Sequence, residues 1–444
     1  MDSSTPTYYI ETYGCQMNVR DSELMAGVLR ENGYGAASSP EEADLILFNT
    51  CCVRDHAEKR LMGNIGALKE LKDAKPETVI GVCGCMMQQK AVSDRFFKRF
   101  RHVDLIMGTN SISSLPDYLT QIRAGYRVNA VSGISEDIVE GIPSVRSSRC
   151  SAFVNIMYGC NNYCTYCIVP YVRGPERSRR SGDILREVRS LADAGYTEIT
   201  LLGQNVNSYG NTNGDVKFPE LLTMINGVDG LKRIRFMTSH PKDLSDRLID
   251  VMAGSSKVCN HVHLPMQSGS DRILKRMNRH YDMERYSSIV DRLRSTVKDV
   301  EITTDIIVGF PGETEEDFAD TLNAVERIGF ASAFTFKYSP RTGTAAARME
   351  DQIPEPVKAE RLRRLNELQN FKTRENNGKY IGYTGEVLIE GLDSKNSSVA
   401  FGKYTNFKMV YFEREGAEVG QYRTVTAEAV SKNSLRGHIE HDND

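Results

Sequence analysis

Twice along this chain, apolar runs of strand length alternate with helix-length segments. That alternation restricts the fold to α/β, with parallel sheets covered by helices. In the first stretch the strand-like runs are Tyr8–Tyr13, Leu45–Asn49, Val79–Cys83 and Asp104–Met107. Helical patterns at Asp21–Asn32, Asp55–Lys72 and Met87–Arg99 lie between them. Residues 132–149, SGISEDIVEGIPSVRSSR, lose the periodicity and read as a linker. Alternation resumes with strands expected at Phe153–Tyr158, Glu198–Leu202, Arg233–Met237, Cys259–His263, Val300–Ile307 and Ala333–Tyr338. About six β/α units make a partial barrel, since a closed one takes eight. Thr314-Glu315-Glu316-Asp317, after the Pro311-Gly312 turn, reads as a capping box opening a helix.

Beyond a long charged helix at 355–379 the pattern changes to short strands with turn residues between them: Gly385–Ile389, Ser398–Phe401, Phe407–Phe412 and Tyr422–Val430. These predict a small all-β barrel. The expected division is therefore 1–131, an α/β sheet domain; 132–149, the linker; 150–379, the partial (β/α)6 barrel; and 380–444, the β module. A chain of 444 residues is long enough for several cores. No apolar run reaches the ~18 residues of a membrane span, and the first residues lack a signal-peptide pattern, so a soluble, cytoplasmic protein is expected.

Ten cysteines in such a chain point to metal ligation or redox chemistry rather than disulfides. Cys160-x-x-x-Cys164-x-x-Cys167 directly follows the first barrel strand, at the carboxyl edge where β/α barrels place their chemistry. Three close thiolates hold three irons of a [4Fe–4S] cube and leave the fourth open. An open iron is what lets the amino and carboxylate groups of S-adenosylmethionine chelate it. One electron then breaks a carbon–sulfur bond and gives a 5′-deoxyadenosyl radical. The alternative, a zinc knuckle, needs a fourth ligand, and none of suitable spacing stands nearby.

A second set of cysteines lies in the first domain. Cys15 follows the first strand, Cys51 and Cys52 follow the second, and Cys83 and Cys85 end the third. Parallel strands share one carboxyl edge, where open α/β sheets bind ligands. Thiolates from three strand ends can converge there. The competing reading is buried, inert cysteines. Geometry does not choose between Cys51 and Cys52, or between Cys83 and Cys85.

YGCQMNVRDSE, NTCCVRDHAEKR and GCMMQ in the first domain, with CNNYCTYCIVPYVRG, LLGQNVNSYG, RFMTSHP, HLPMQSGSDRIL, TDIIVGFPGETEEDF and YSPRTGTAAA in the second, resemble the radical S-adenosylmethionine methylthiotransferase family over nearly the whole chain. The last residues, closing with Asn433–Gly437, resemble its small RNA-binding β-barrel, the TRAM domain. The resemblance implies two [4Fe–4S] clusters, with Cys15, Cys51 and Cys85 as ligands of the auxiliary one and Cys160, Cys164 and Cys167 as ligands of the radical-generating one. TYGCQMN and the PYVRG loop favour the branch acting on tRNA that carries isopentenyladenosine beside the anticodon. The implied reaction turns C2–H of that base, at position 37, into C2–SCH3 with two molecules of S-adenosylmethionine. The other branches act on threonylcarbamoyl-adenosine tRNA or on a ribosomal-protein aspartate, and a zinc-stabilised RNA-binding protein is the non-enzyme alternative. A flavodoxin- or ferredoxin-type electron donor, a monomeric state and no membrane partner are also expected.

Tyr166, Gln204, Asn205, Ser239, Gln267 and Asp305 then become candidates to contact S-adenosylmethionine. All but Tyr166 sit at or near barrel strand ends, and Tyr166 lies inside the radical motif. Arg173, Arg177, Arg179 and Arg180, opposed only by Glu176, are candidate contacts to the tRNA backbone. Residues 380–444 hold seven Lys/Arg against ten Asp/Glu, unusual for an RNA-binding module. Only a local face of Lys403, Lys408, Arg423 and Arg436 is left for RNA there, with Tyr404, Phe407 and Tyr411 as stacking or core residues.

Overall fold

The computed structural model describes residues 5–52, 55–131, 133–134 and 138–441. The chain divides into two compact units. One contains residues up to Ser147 with Met157–Asn161 and Ile168–Arg179; the other contains Ser148–Ile156, Asn162–Cys167 and everything from Arg180 on.

The first unit is a six-stranded parallel sheet. Its strands are β1 (Thr7–Thr12), β2 (Gly35–Ala36), β3 (Leu45–Thr50), β4 (Val79–Gly84), β5 (Leu105–Met107) and β6 (Val128–Ala130), in the order β2-β1-β3-β4-β5-β6. β3 is buried along its whole length, as a central strand covered on both faces must be. The order reverses between β1 and β3, so the crevice of this open sheet lies at their carboxyl ends. The four strands expected from sequence are all present. The two missed ones, β2 and β6, are edge strands of two and three residues, too short to carry an alternating pattern. Helix α1 (Gln16–Glu31) begins immediately after Cys15, its N-cap residue. Residues of the expected linker run along it: Val145 N–H donates to the Glu23 carbonyl, and Arg146 and Ser147 bind the Glu23 carboxylate. Residues 132 and 135–137 of that segment lie outside the described set.

The second unit starts with β7 (Ser151–Asn155). The chain then contributes a hairpin of β8 (Met157–Tyr158) and β9 (Arg177–Ser178) to the first unit. Back in the second unit, β10 (Glu198–Leu202) and β11 (Arg233–Phe236) form a parallel sheet with β7. Strands β12 (His261–His263), β13 (Glu301–Val308) and β14 (Ser332–Lys337) form another. A parallel bridge between Ile234 and Val258 links the two sheets. Six parallel strands in sequence order make the expected partial barrel. Thr314 and Asp317 form the capping box of the helix Glu315–Ile328.

The last segment closes a five-stranded barrel of β15 (Thr384–Leu392), β16 (Val399–Lys403), β17 (Met409–Glu413), β18 (Tyr422–Ser431) and β19 (Ser434–Ile439). β19 escaped the sequence reading because Ser434–Ile439 alternates small and polar residues around Leu435. Buried Arg233 and Arg235 of β11 anchor this barrel to the preceding one. Arg233 donates to the Lys403 and Glu386 carbonyls, and Arg235 to those of Thr405 and Tyr404.

Candidate functional site

In the first unit Cys83 lies apart from the other strand-end cysteines, while Cys51 and Cys52 are both buried at the end of β3. β1, β3 and β4 are adjacent in the sheet, and Cys15, Cys51 and Cys85 follow their carboxyl ends. Asn18 stands among them: its Oδ1 lies 3.7 Å from Cys15 Sγ and 4.0 Å from Cys85 Sγ. The Asn18 amide is fixed in turn by donating to the Tyr13 and Thr50 carbonyls. Gly14, at φ +132°, lets Cys51 close in, since a β-carbon there would sit 2.6 Å from Cys51 Cβ. Only glycine suits both the dihedral and the approach.

Cys83 faces the opposite side of the sheet. Its sulfur is 3.6 Å from Met25 Sδ and 3.5 Å from the Phe48 carbonyl, and burial pushes the thiol up. Cys85 lies beyond Gly84, whose φ of +96° ends the strand and turns the chain. A hydrogen bond with Cys52, and after it the guanidinium of Arg173, hold the Cys85 thiol below its usual range against the opposing pull of burial. Arg173 Nε donates to Cys85 Sγ at 3.1 Å and its Nη2 donates to Asp21 at 2.6 Å. This ion pair is buried on both sides, and removing one partner of such a pair strands the other charge at a cost of about 3–5 kcal/mol.

Three soft thiols at one sheet edge, one of them already biased to thiolate, suit an iron–sulfur cluster. Among the described residues, no three His, Cys, Asp or Glu side chains stand close enough to ligate a single metal ion. The fit of Cys15, Cys51 and Cys85 therefore rests on Asn18 standing between Cys15 and Cys85, on the close approach of Cys51 to Gly14, and on the donor chemistry.

The Cys160–Cys167 segment is divided between the units. In the first, Cys160 N–H donates to the Gly174 carbonyl at 3.1 Å, while Gly159 at φ +75° lies against the Pro175 backbone. In the second, the loop 162–167 is pinned from several directions. Thr165 N–H donates to the Met277 carbonyl, Ala346 N–H donates to the Thr165 carbonyl, and Asn278 donates to the Asn162 and Tyr163 carbonyls. Cys167 N–H donates to the Cys164 carbonyl. Arg279, buried, donates from Nη1 to Cys164 Sγ at 3.4 Å and from Nη2 to the Pro265 carbonyl. Tyr166 is half-buried, and desolvation pushes its phenol well up.

Around the barrel's carboxyl edge, several buried polar atoms lack a hydrogen-bond partner among the described residues: Asn205 Oδ1, Ser239 Oγ and Gln267 Oε1. Leaving such groups unsatisfied costs about 1–3 kcal/mol each, which a polar ligand relieves. The backbone is also held in an uncommon conformation at two of these strand ends, with Thr238 and Gln267 both at φ +68°. Asp305 is partly exposed and lies 3.4 Å from His263 Nε2. Gln204 is half-buried at the end of β10. Asn205 also donates to Asp243 at 2.7 Å, which orients it. Gln204, Asn205, Ser239 and Gln267 thus lie at or beyond strand ends as expected from sequence, while Asp305 lies along β13 and Tyr166 in the loop 162–167.

The four arginines after the radical motif do not form one surface. Arg173 is buried on Cys85 and Asp21. Arg179 is buried and bidentate to Glu140, at 2.7 and 2.6 Å. Arg177 is half-buried and donates to the Arg173 carbonyl. Arg180 is exposed. In the last barrel, Lys403 pairs with Glu390 at 2.7 Å, and Lys408 is buried against Glu301, Asn376 and Asn377. Burial lowers Lys408 to about 8. Tyr404 is core, and Phe407 stacks on His261 at 4.3 Å. Arg436 remains exposed. Sequence reasoning missed Arg279 beside Cys164, Asp21 behind Arg173 and Asn18 beside Cys85, because each of these contacts spans tens of residues.

Comparison with known proteins agrees with this architecture. Residues 7–108 match the family model described as uncharacterized protein family UPF0004, 154–325 the Radical SAM superfamily, and 378–439 the TRAM domain. A tRNA-2-methylthio-N(6)-dimethylallyladenosine synthase of Clostridium perfringens (strain 13) is 51% identical over 97% of each chain. The enzyme of that name from Acetivibrio thermocellus is 50% identical over 97% of this chain and 90% of its own. Among solved structures, the radical S-adenosylmethionine methyltransferase TsrM from Kitasatospora setae superposes with a TM-score of 0.57. It is 13% identical and the match covers 78% of this chain and 77% of that one, a likeness of fold alone.

Proposed function

The chain belongs to the family of the tRNA-2-methylthio-N(6)-dimethylallyladenosine synthases, and we propose from that membership that it replaces the C2 hydrogen of N6-isopentenyladenosine, at position 37 of tRNA, by a methylthio group. It is an enzyme with a radical S-adenosylmethionine domain. The observation that carries the reading is the pair of three-cysteine sets, one on the strand ends of the first sheet and one in the loop after β7. The C2 hydrogen is not acidic enough for a side-chain base at neutral pH, so proton abstraction gives no route to the product.

Cys160, Cys164 and Cys167 would hold one [4Fe–4S] cluster, and Cys15, Cys51 and Cys85 the other. Bound there, the first would supply the one-electron chemistry that cleaves S-adenosylmethionine, and the second would supply the sulfur of the methylthio group. The chain's own residues prepare these sites. Arg279 donates to Cys164 and Arg173 to Cys85, so each orients one sulfur of its set. Asn205, Ser239 and Gln267 offer their unpaired buried atoms to the polar groups of S-adenosylmethionine. Asp305, beside His263, offers a carboxylate to ribose hydroxyls. Tyr166, half-buried with its phenol pushed well up, lies within the loop beside Cys164 and Cys167. Exposed Arg180 and Arg436 meet the tRNA backbone, with the extruded base reaching the barrel edge.

The reading extends to a flavodoxin- or ferredoxin-type electron donor, a monomeric enzyme, a cytoplasmic location, and domain limits at 131, 149 and 379. The test is nucleoside mass spectrometry. Anaerobically reconstituted enzyme, given reductant, S-adenosylmethionine and isopentenylated anticodon stem-loop, is expected to yield the methylthio nucleoside. Modification only of a ribosomal-protein peptide offered in parallel would overturn the assignment.

A further inference from the structure

Arg173 belongs by sequence to a run of four arginines that reads as a phosphate-binding loop. Its place in the first unit says otherwise. The side chain is 5% exposed, donates through Nε to Cys85 Sγ at 3.1 Å, and is clamped by Asp21 at 2.6 Å. Asp21 in turn sits on α1, the helix that Cys15 caps. One arginine therefore ties the loop after the radical motif to two of the three thiol-bearing strand ends. It does so through a charge-assisted bond to a ligand sulfur.

We propose that Arg173 is a positioning residue of the cluster held by Cys15, Cys51 and Cys85, fixing the Cys85 thiolate in its ligating orientation and raising the reduction potential of that cluster. The inference rests on the assignment of those three cysteines as ligands. Hydrogen bonds and positive charge at cluster sulfur stabilise the reduced, more negative state, so they shift the potential upward. Asp21 opposes that shift with its own charge. Its part is to keep the guanidinium aimed and to hold the potential below what a bare arginine would set.

The test uses the full chain carrying Cys160→Ala, Cys164→Ala and Cys167→Ala, so that only the cluster of the first unit forms. After anaerobic reconstitution with ferrous iron and sulfide, this parent is expected to bind about four irons. Adding Arg173→Met should move the midpoint, read by dithionite titration with electron paramagnetic resonance, to more negative potential. It should also speed iron loss to a chelator. Arg173→Lys keeps the charge without the planar fork, so it should recover part of the shift. Asp21→Asn should move the midpoint the other way. Affinity for an anticodon stem-loop should be unchanged in all three. A parent that binds no iron overturns the cluster assignment and this inference with it. Iron binding with the same midpoint and chelation rate in Arg173→Met, Arg173→Lys and parent overturns the inference alone. Weakened stem-loop binding without any change at the cluster would return Arg173 to the phosphate-contact reading.

Discussion

Arg173 and Arg279 treat their cysteines alike and their charges differently. Each is buried and each donates to one sulfur, Cys85 at 3.1 Å in the first unit and Cys164 at 3.4 Å in the second. Arg173 faces a carboxylate, Asp21. Arg279 gives its remaining donors to the Pro265 carbonyl and the Tyr281 phenol, with no carboxylate partner among the described residues. A guanidinium beside a carboxylate contributes mainly a directed hydrogen bond. One without it contributes a positive charge in a low-dielectric setting, where the charge acts strongly. The same residue type thus aims a balanced charge at one sulfur and brings a charge without a carboxylate partner among the described residues to the other.

The comparison presumes that both cysteine sets ligate, and ligand removal tests that most severely. Cys85→Ala and Cys164→Ala should each lower bound iron from about eight to about four per chain. Only Cys164→Ala should abolish 5′-deoxyadenosine formation. Cys83→Ala and Cys52→Ala should keep all the iron. Cys83 packs on Met25 across the sheet, and Cys52 acts as a hydrogen-bonding neighbour of Cys85. Loss of iron in Cys52→Ala with retention in Cys51→Ala would exchange the roles of those two.

The arginines come next. Removing a residue that orients a metal ligand typically costs roughly 10- to 100-fold in affinity or activity. Arg279→Met is expected to slow deoxyadenosine formation by an amount in that range while its cluster stays bound. Arg173→Met should leave deoxyadenosine formation within about twofold, because Asp21 already cancels most of its charge and its cysteine belongs to the other set. Equal slowing in the two variants would erase the contrast.

The contrast also marks how far sequence carries. The strands bearing Cys15, Cys51 and Cys85 were legible because their apolar runs are unbroken. The loop after β7 was legible because three cysteines in eight residues have few alternatives. Asn205, Ser239 and Gln267 were legible as strand-end residues. The arginines were not. A run such as Arg173, Arg177, Arg179 and Arg180 looks uniformly basic in one dimension. The chain's path through a hairpin and a turn then sends two of them inward onto Asp21 and Glu140 and leaves another in water. Lys358 and Arg361 in the long helix and Lys408 in the last barrel repeat the lesson. Each lies in a charged segment and each is buried, Arg361 on Glu313 at 3.0 Å and Lys408 on Asn377 at 2.8 Å. Partners tens of residues away decide these cases.

The setting of Arg279 also has a pH signature. His240 is buried, with its ring 5.7 Å from that of Tyr281 and its Nδ1 accepting from Lys242 N–H. Burial first, then the charge of Arg279, lowers its pKa to about 2. The folded value lies below the unfolded one, about 6.5, so the unfolded chain takes up a proton that the folded chain refuses. The stability contribution is complete above pH 6.5 and is lost as pH falls below it, by at most about 1.4 kcal/mol per pH unit. Denaturation at pH 7.5, 6.5 and 5.5 should show a shallower acid decline for His240→Asn than for the parent. Identical declines would mean that His240 is charged in the fold.

The smallest effect separates the arginines of the loop itself. Arg180 is exposed and makes a long bond to the Asn213 carbonyl at 3.4 Å. Arg179 is bidentate to Glu140 and buried. If Arg180 meets a phosphate, Arg180→Ala should weaken stem-loop binding by only a few-fold and flatten its dependence on log salt by about 0.9. Arg179→Ala should leave the salt slope alone and lower the thermal midpoint instead, because Glu140 loses its partner. Fluorescence anisotropy between about 50 and 200 mM KCl resolves a slope change of that size. A lower slope in Arg179→Ala and none in Arg180→Ala would mean that Arg179 leaves Glu140 for the nucleic acid, and that burial in the free protein does not mark which loop arginines touch RNA.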